Sequence, residues 1–400
     1  MKQTIDITRL PPLPDMNRLD GSMNVAFPPD DKLLAVVGLN SPLELFTRDG
    51  TNFTSLPVPA GVNPGMTFDA ALSPDGDILV QAHRADFGNP ALAFYRRSGN
   101  TFTYMPEPSS MPLAGTATAA AFSPESDILM AAHFNPPFIS AYYRSGDTFN
   151  LLPDAIDWTF TGGAVMDITF SPDGSIMALA HGSDGLLALY RRSGNTFTRL
   201  PDLMGSVHAG SGFSVEFSPD GEILVFGSMD WSSLNSGGDL ILKHITVFRR
   251  SGSSFTKITD ITEGLPALGH LGARGSAFSP DGALLAVTHS EHPYLRLYSR
   301  EGDTFTKLPD PEPLTSSGDE PENDAGGAVF SPDGKLLAIA HGLEPFVTVY
   351  EIDYGDTGGG NGSNGGNGGN GGNTTVPARP FSIRKLIIFE PDGTIREVIS

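Results

Sequence analysis

The 400-residue chain has no cysteine, only 2 tryptophans, and 25 Lys plus Arg set against 46 Asp plus Glu. Each shortage closes a class of function. Without cysteine, neither a disulfide framework nor a thiolate metal site can be built. A net charge of −21 leaves few cations to neutralise phosphates, so nucleic acid is not an expected partner. No run of 18 apolar residues occurs, and the opening MKQTIDITRLPPLP lacks the apolar segment of a secretory signal. The expectation is a chain made in a cytoplasm, with no membrane span. Catalytic signatures are missing too: no Gly-x-Ser-x-Gly elbow, P-loop, His-Glu-x-x-His or dinucleotide fingerprint is found. A non-enzyme without cofactor or metal is therefore expected.

Turn formers are abundant, with 47 Gly and 33 Pro, which argues against a helical protein. They fall in a repeating phrase. Phe-Ser-Pro-Asp-Gly or a near copy recurs with its acidic residue at Asp30, Asp75, Glu125, Asp173, Asp220, Asp281 and Asp333, at spacings of 45, 50, 48, 47, 61 and 52. Each copy is followed by an apolar run such as Lys335-Leu-Leu-Ala-Ile-Ala-His341. Next come a Leu-x-Leu-Tyr segment, an Arg-Ser-Gly-Asn or Arg-Glu-Gly-Asp turn, and a Thr-Phe-Thr segment. Pro fixes φ and Gly or Asn accepts positive φ, so these are tight turns between hairpin strands. Four short strands, a to d, in a unit of 45–50 residues make one propeller blade. Seven copies predict an all-β, seven-bladed propeller.

The seventh copy stops after Phe346-Val-Thr-Val-Tyr350 without a Thr-Phe-Thr strand. Thr4-Ile-Asp-Ile-Thr-Arg-Leu-Pro11 matches Asp303-Thr-Phe-Thr-Lys-Leu-Pro309 and is expected to complete that blade, removing its open edge. Over residues 1 to about 353 the Phe-Ser-Pro-Asp-Gly-x-x-Leu-Ala pattern resembles the WD40-type propeller family. It departs from that family in having Tyr-Arg or Phe-Arg where Trp-Asp would end strand c. The fuller wording, LLAIAHGLEPFVTVY and SGDTFTKLPDP, is similar to propellers encoded among structural genes of tailed bacteriophages. That resemblance implies a virion component, a head or tail appendage.

The predicted domains are the propeller over 1–354, a Gly/Asn-rich linker over 355–375, and a small hairpin over 376–400. The linker composition (GDTGGGNGSNGGNGGNGGNTT) is that of a flexible coil whose root-mean-square span is roughly 25 Å. Beyond it, Ile383–Phe389 and Thr394–Ile399 flank Glu-Pro-Asp-Gly as one hairpin, with Leu386, Ile388, Ile395 and Val398 as its apolar docking positions. A lone hairpin is marginal in water, so it either packs back on the propeller or adds to another protein's sheet. The second is preferred, with a phage head or tail protein as partner.

In such a blade the a–b and c–d turns share one face of the disc, and the variable b–c and d–a connections share the other. The loop-rich face is the candidate binding surface. It carries Trp158, the blade-five insertion Met229–Asp239 with Trp231, and the acidic connection with Asp310, Glu312, Asp319, Glu320, Glu322 and Asp324. Ordinary loop drift would account for the same pattern. His83, His133, His181, His289 and His341 each stand eight residues after the turn acid. Equivalent positions on adjacent blades lie about 10 Å apart, against metal–nitrogen bonds of about 2 Å, so each His is expected to bond within its own blade. A pH-sensitive histidine surface is the other reading. Arg48, Arg97, Arg144, Arg192, Arg250 and Arg300 close strand c on the turn face and are expected to pair with the turn carboxylates between hairpins, as a structural ladder of exposed pairs; a functional basic patch is the other reading. The leading expectation is a non-catalytic virion appendage. Its alternatives are a module binding a host glycan or receptor, a cytoplasmic protein-interaction scaffold, and, last, a propeller hydrolase. Sialidases are disfavoured, because Gly follows Asp directly and no Trp follows.

Overall fold

A computed structural model describes residues 5–16, 22–38, 43–59, 61, 65–85, 90–108, 115–153, 155–156, 163–182, 187–203, 211–229, 245–261, 273–289, 294–314, 325–342, 344–354, 388–389 and 395–396. Among these residues all regular structure is β: seven four-stranded antiparallel sheets and one two-stranded sheet.

Blade four shows how the repeated phrase builds a sheet. Its strands are Val165–Phe170, Ile176–His181, Leu187–Ser193 and Thr196–Arg199. Between the first two, Ser171 Oγ donates to Asp173 and accepts the N–H of Ile176 at 2.9 Å. Asp173 in turn accepts the N–H of Ser175 at 3.1 Å. Gly174 takes φ 68°, the left-handed region where a Cβ is costly. Two blades break this rule: Asp31 (φ 60°) and Ser126 (φ 62°) occupy the glycine position, and short polar residues tolerate it best.

The b strands are buried along their whole length, as in Ile176–His181 and Leu336–His341. An apolar run without alternation is what a strand covered on both faces requires. Seven separate core clusters fill the seams between neighbouring blades. The cluster joining blades one and seven contains Val25, Phe27 and Phe46 from one side and Val329, Leu336 and Val347 from the other. The two phenylalanines of the repeat meet in these seams, with ring centroids 6.1–6.5 Å apart for Phe122–Phe149, Phe170–Phe197, Phe217–Phe255 and Phe278–Phe305. The inner strand Ser22–Ala26 touches both Thr67–Leu72 and Ala325–Phe330, so the ring is closed. As expected, Asp6–Arg9 completes blade seven, pairing with Val347–Asp353 in the register Asp6 opposite Asp353 and Arg9 opposite Tyr350.

Every inner strand carries an irregularity at the same level, between Ser22 and Asn24 in blade one and between Ala325 and Ala328 in blade seven. The residues at this level, Met23, Phe68, Thr118, Met166, Phe213 and Arg274, are all at most 3% exposed. A separate two-stranded sheet pairs Ile388–Phe389 with Ile395–Arg396.

Candidate interaction faces

On the turn face the arginines do pair with the turn acids, but across blades. Each guanidinium reaches the carboxylate of the preceding blade at 2.8–2.9 Å: Arg97 to Asp30, Arg144 to Asp75, Arg192 to Glu125, Arg250 to Asp173 and Arg300 to Asp220. Arg48 reaches Asp333 at 2.9 Å and so ties blade one to blade seven. Each Nε also donates to its own turn glycine carbonyl at 2.8–2.9 Å, as Arg97 does to Gly99. Arg48, Arg250 and Arg300 lie over Phe27, Phe217 and Phe278 at 5.7–6.0 Å. These arginine side chains are only 4–10% exposed, whereas their partner carboxylates are 36–56% exposed. The expectation of an exposed ladder is therefore corrected: the cations are sunk into the seams and unavailable as a basic patch. Burial raises Asp75, but hydrogen bonds from Ser73 and the Asp77 N–H, with Arg144 beside it, outweigh this and hold the carboxyl below its usual range. Asp173, Asp220 and Asp333 are lowered in the same way.

The seventh seam differs. Ile352 stands where the other blades have Arg, and the Tyr354 hydroxyl takes the guanidinium's place, donating to the Gly334 carbonyl at 3.4 Å. Burial, with Asp281 nearby, pushes the Tyr354 phenol up to about 12.

At the opposite ends of the b strands the five histidines are buried, none more than 2% exposed. His83 is hydrogen-bonded to Thr67 at 3.1 Å, His133 to Ser140 at 3.0 Å and His341 to Thr348 at 2.9 Å, each within its own blade. Burial lowers His83 to about 4, and burial aided by Arg199 lowers His181 to about 4. For these two, a surface titrating near neutrality is replaced by neutral imidazoles inside the fold. No grouping of three or more metal-ligating side chains occurs among the described residues.

The sequence reading missed the polar staples between inner strands. Asp69 Oδ2 accepts the Ala120 N–H of the next blade at 2.8 Å, while its Oδ1 accepts from Asn24 Nδ2 at 3.0 Å and from the Ala70 N–H. Asp167 likewise takes the Val215 N–H of blade five at 2.8 Å and its neighbour's, Ile168. A signal existed: Asn24, Asp69 and Asp167 all stand six residues before the turn acid, inside an otherwise apolar strand. The blade 6–7 connection is also tied down at its start, with Tyr350 Oη donating to the Glu312 carbonyl at 2.6 Å and Thr348 to that of Leu314 at 3.0 Å.

Trp158, Trp231, Asp319, Glu320, Glu322, Leu386 and Val398 lie outside the described residues, as do 355–375. Of the hairpin positions, Ile388 faces Arg396 and Ile395 faces Phe389 across the two-stranded sheet. Phe389-Glu-Pro-Asp-Gly repeats the blade phrase with Glu390 in place of the serine. The pairing is one residue out of the blade register, in which Phe330 faces Leu337.

Together these features define a seven-bladed β-propeller. Solved structures agree on the fold. The β-propeller domain of Cps50 (Swd1) from Myceliophteria thermophila superposes with a TM-score of 0.60 at 13% identity, covering 87% of this chain and 100% of that one. A protein from Lactobacillus plantarum gives 0.60 at 16% identity over 82% and 92%. A 6-phosphogluconolactonase-like protein from Bacteroides fragilis gives 0.52 at 13% identity over 71% and 82%. No protein-family model and no curated protein matches the chain.

Proposed function

We propose that this propeller is a non-catalytic protein-interaction module, a virion appendage of the kind its repeat wording resembles, held through residues 376–400 with the disc as cargo. The observation that carries the reading is where the recurrent polar chemistry goes. The turn acids Asp30, Asp75, Glu125, Asp173, Asp220 and Asp333 are bound to arginines of the next blade, and the inner-strand Asp69 and Asp167 are bound to backbone N–H groups of the next blade. Groups committed to holding blades together are not poised as acid–base pairs. The paired strands beyond the Gly/Asn-rich segment supply a second element able to join a partner's sheet.

Removing residues 355–400 tests this. The truncated protein should melt as the full chain does and no longer co-purify with particles; incorporation at the full-length level would overturn the holding role. The lactonase-like neighbour shares the fold alone, so hydrolysis of a sugar lactone by the full chain is the assay that would favour an enzyme instead.

A further inference from the structure

Blade one departs from the repeat at one position, and the departure falls on the seam that closes the ring. Five blades carry glycine at the left-handed corner of the a–b turn: Gly76, Gly174, Gly221, Gly282 and Gly334. Asp31 holds that corner in blade one at φ 60°, a conformation that side chains resist. Ser126 makes the same exchange in blade three without adding a charge. A carboxylate is thus placed where the backbone is already strained, and an outlier of this kind points to a role.

The surroundings of Asp31 say which role. Arg48, 4% exposed, holds two carboxylates from the two blades it joins. Its Nη1 binds Asp31 of blade one, and its Nη2 binds Asp333 of blade seven at 2.9 Å. Arg192 also holds two acids, Glu125 and Asp127, but both belong to blade three and are 54% and 36% exposed. Asp31 is 17% exposed, so water and salt screen it less. The other charged groups nearby are engaged or turned outward. Asp30 binds Arg97 of blade two, and Lys32 and Lys335 are exposed. Tyr354, close to Asp333, keeps its phenol proton up to about 12.

One guanidinium therefore faces two carboxylates in a place that holds little water. A single cation neutralises one of them, and a proton is the other means of stabilising the pair. Burial pushes the Asp31 carboxyl up to about 6; Arg48 pulls it down, and the charge and hydrogen bond of Asp333 push it up again. Asp333 is held low by its turn and by Arg48, so the proton belongs on Asp31. We propose that Asp31 is a proton-operated latch on the closing seam. Protonated, it donates its O–H to Asp333 and fastens blade one to blade seven; ionised, it leaves two carboxylates on Arg48 and slackens that seam.

The pH dependence has the opposite sign to that of the buried histidines. The folded carboxyl titrates at about 6 against 3.8 for the free side chain. Its contribution is complete below 3.8 and is lost as pH rises through about 6, whereas His83 and His181 lose theirs as pH falls. Comparing variants at one pH separates the two effects.

The absence of cysteine gives a local readout. Ala338 is buried in the blade 7–1 seam and Ala178 in the blade 4–5 seam. Each is replaced by cysteine in the full chain, with and without Asp31→Asn. Rates of reaction with a dipyridyl disulfide are then measured at about pH 7.5 and about pH 5. For Ala338→Cys, the rate with Asp31 present divided by the rate with Asp31→Asn should fall at least about threefold from the higher pH to the lower. Thiol ionisation and the histidines cancel in this ratio. An unchanged ratio overturns the latch. For Ala178→Cys the ratio should stay constant; an equal fall there would mean that Asp31 acts on the whole fold and would overturn the latch too. A second measurement needs no cysteine. In the chain carrying carbon-13 at its aspartate carboxyls, the signal that Asp31→Asn removes should titrate at about 6, and Asp333→Asn should lower that midpoint. A midpoint near 3.8, or one that Asp333→Asn leaves unmoved, overturns the shared proton.

Discussion

The two ends of the b strands solve the same packing problem with opposite chemistry. At the turn end, charged groups are kept and matched across every seam that carries an arginine, with the carboxylates left 36–56% exposed to water. At the loop end, histidines are buried and, for His83 and His181, held neutral by that burial. A charge can stay at a seam when its counter-ion also reaches solvent; a titratable group with no such outlet gives up its charge. Acid should therefore attack the two ends in sequence.

The largest effect is expected at the histidine end. His83 titrates at about 4 in the folded state against 6.5 for the free side chain. Between those values the unfolded chain binds a proton that the folded chain refuses, so stability falls as pH drops from 6.5 to about 4 and then levels. His83 and His181 should each contribute a loss on the order of 3 kcal/mol over this window. Urea denaturation at pH 7 and pH 4.5 should show it, and His83→Gln should flatten the slope; an unchanged slope would remove His83 from the account. Asp75, Asp220 and Asp333 have lowered values and act later, losing their contribution only as pH falls below about 3.8.

Closure can be probed at Gly326, where an added Cβ would lie 2.6 Å from the Met23 carbonyl of blade one. Gly326→Ala should cost about 2–3 kcal/mol by overpacking. Gly182→Ala, with its nearest neighbour 3.8 Å away, should be nearly neutral in the same melt. A smaller effect is expected in an arginine seam. Because Asp30 is 43% exposed, the ion pair itself contributes under about 1 kcal/mol, and Arg97→Ala should cost about 1–2 kcal/mol once the lost stem packing and the bond to Gly99 are included. A neutral result would mean that the seams are held by their apolar clusters alone. Smallest of all, Tyr354→Phe removes the hydroxyl's long bond of 3.4 Å to Gly334 together with its interaction with Ser279, and should cost about 1 kcal/mol or less.

Much of the fold is legible in the sequence. Within the turn, Ser171, Asp173 and Gly174 act on close neighbours, so those local roles follow from their own spacing. The match of Thr4–Pro11 to Asp303–Pro309 likewise foretold the closing strand. The candidate site was harder to read. Arg97 and Asp30 are 67 residues apart and Arg48 and Asp333 are 285 apart, and nothing in a periodic sequence tells an arginine to prefer the preceding blade to its own.

What the sequence by itself determined is therefore the unit and its number: strand, Pro-turn, apolar strand, Gly-turn, seven times, with a first strand that belongs to the last blade. Tertiary structure alone decided where the polar residues point their charge. It sank six guanidinium groups into seams, neutralised His83 and His181, stapled Asp69 and Asp167 to the next blade, and put Tyr354 where a seventh arginine would stand. Backbone turns are short-range and set by φ and local hydrogen bonds, whereas desolvation and ion pairing depend on which neighbour the closed ring brings alongside.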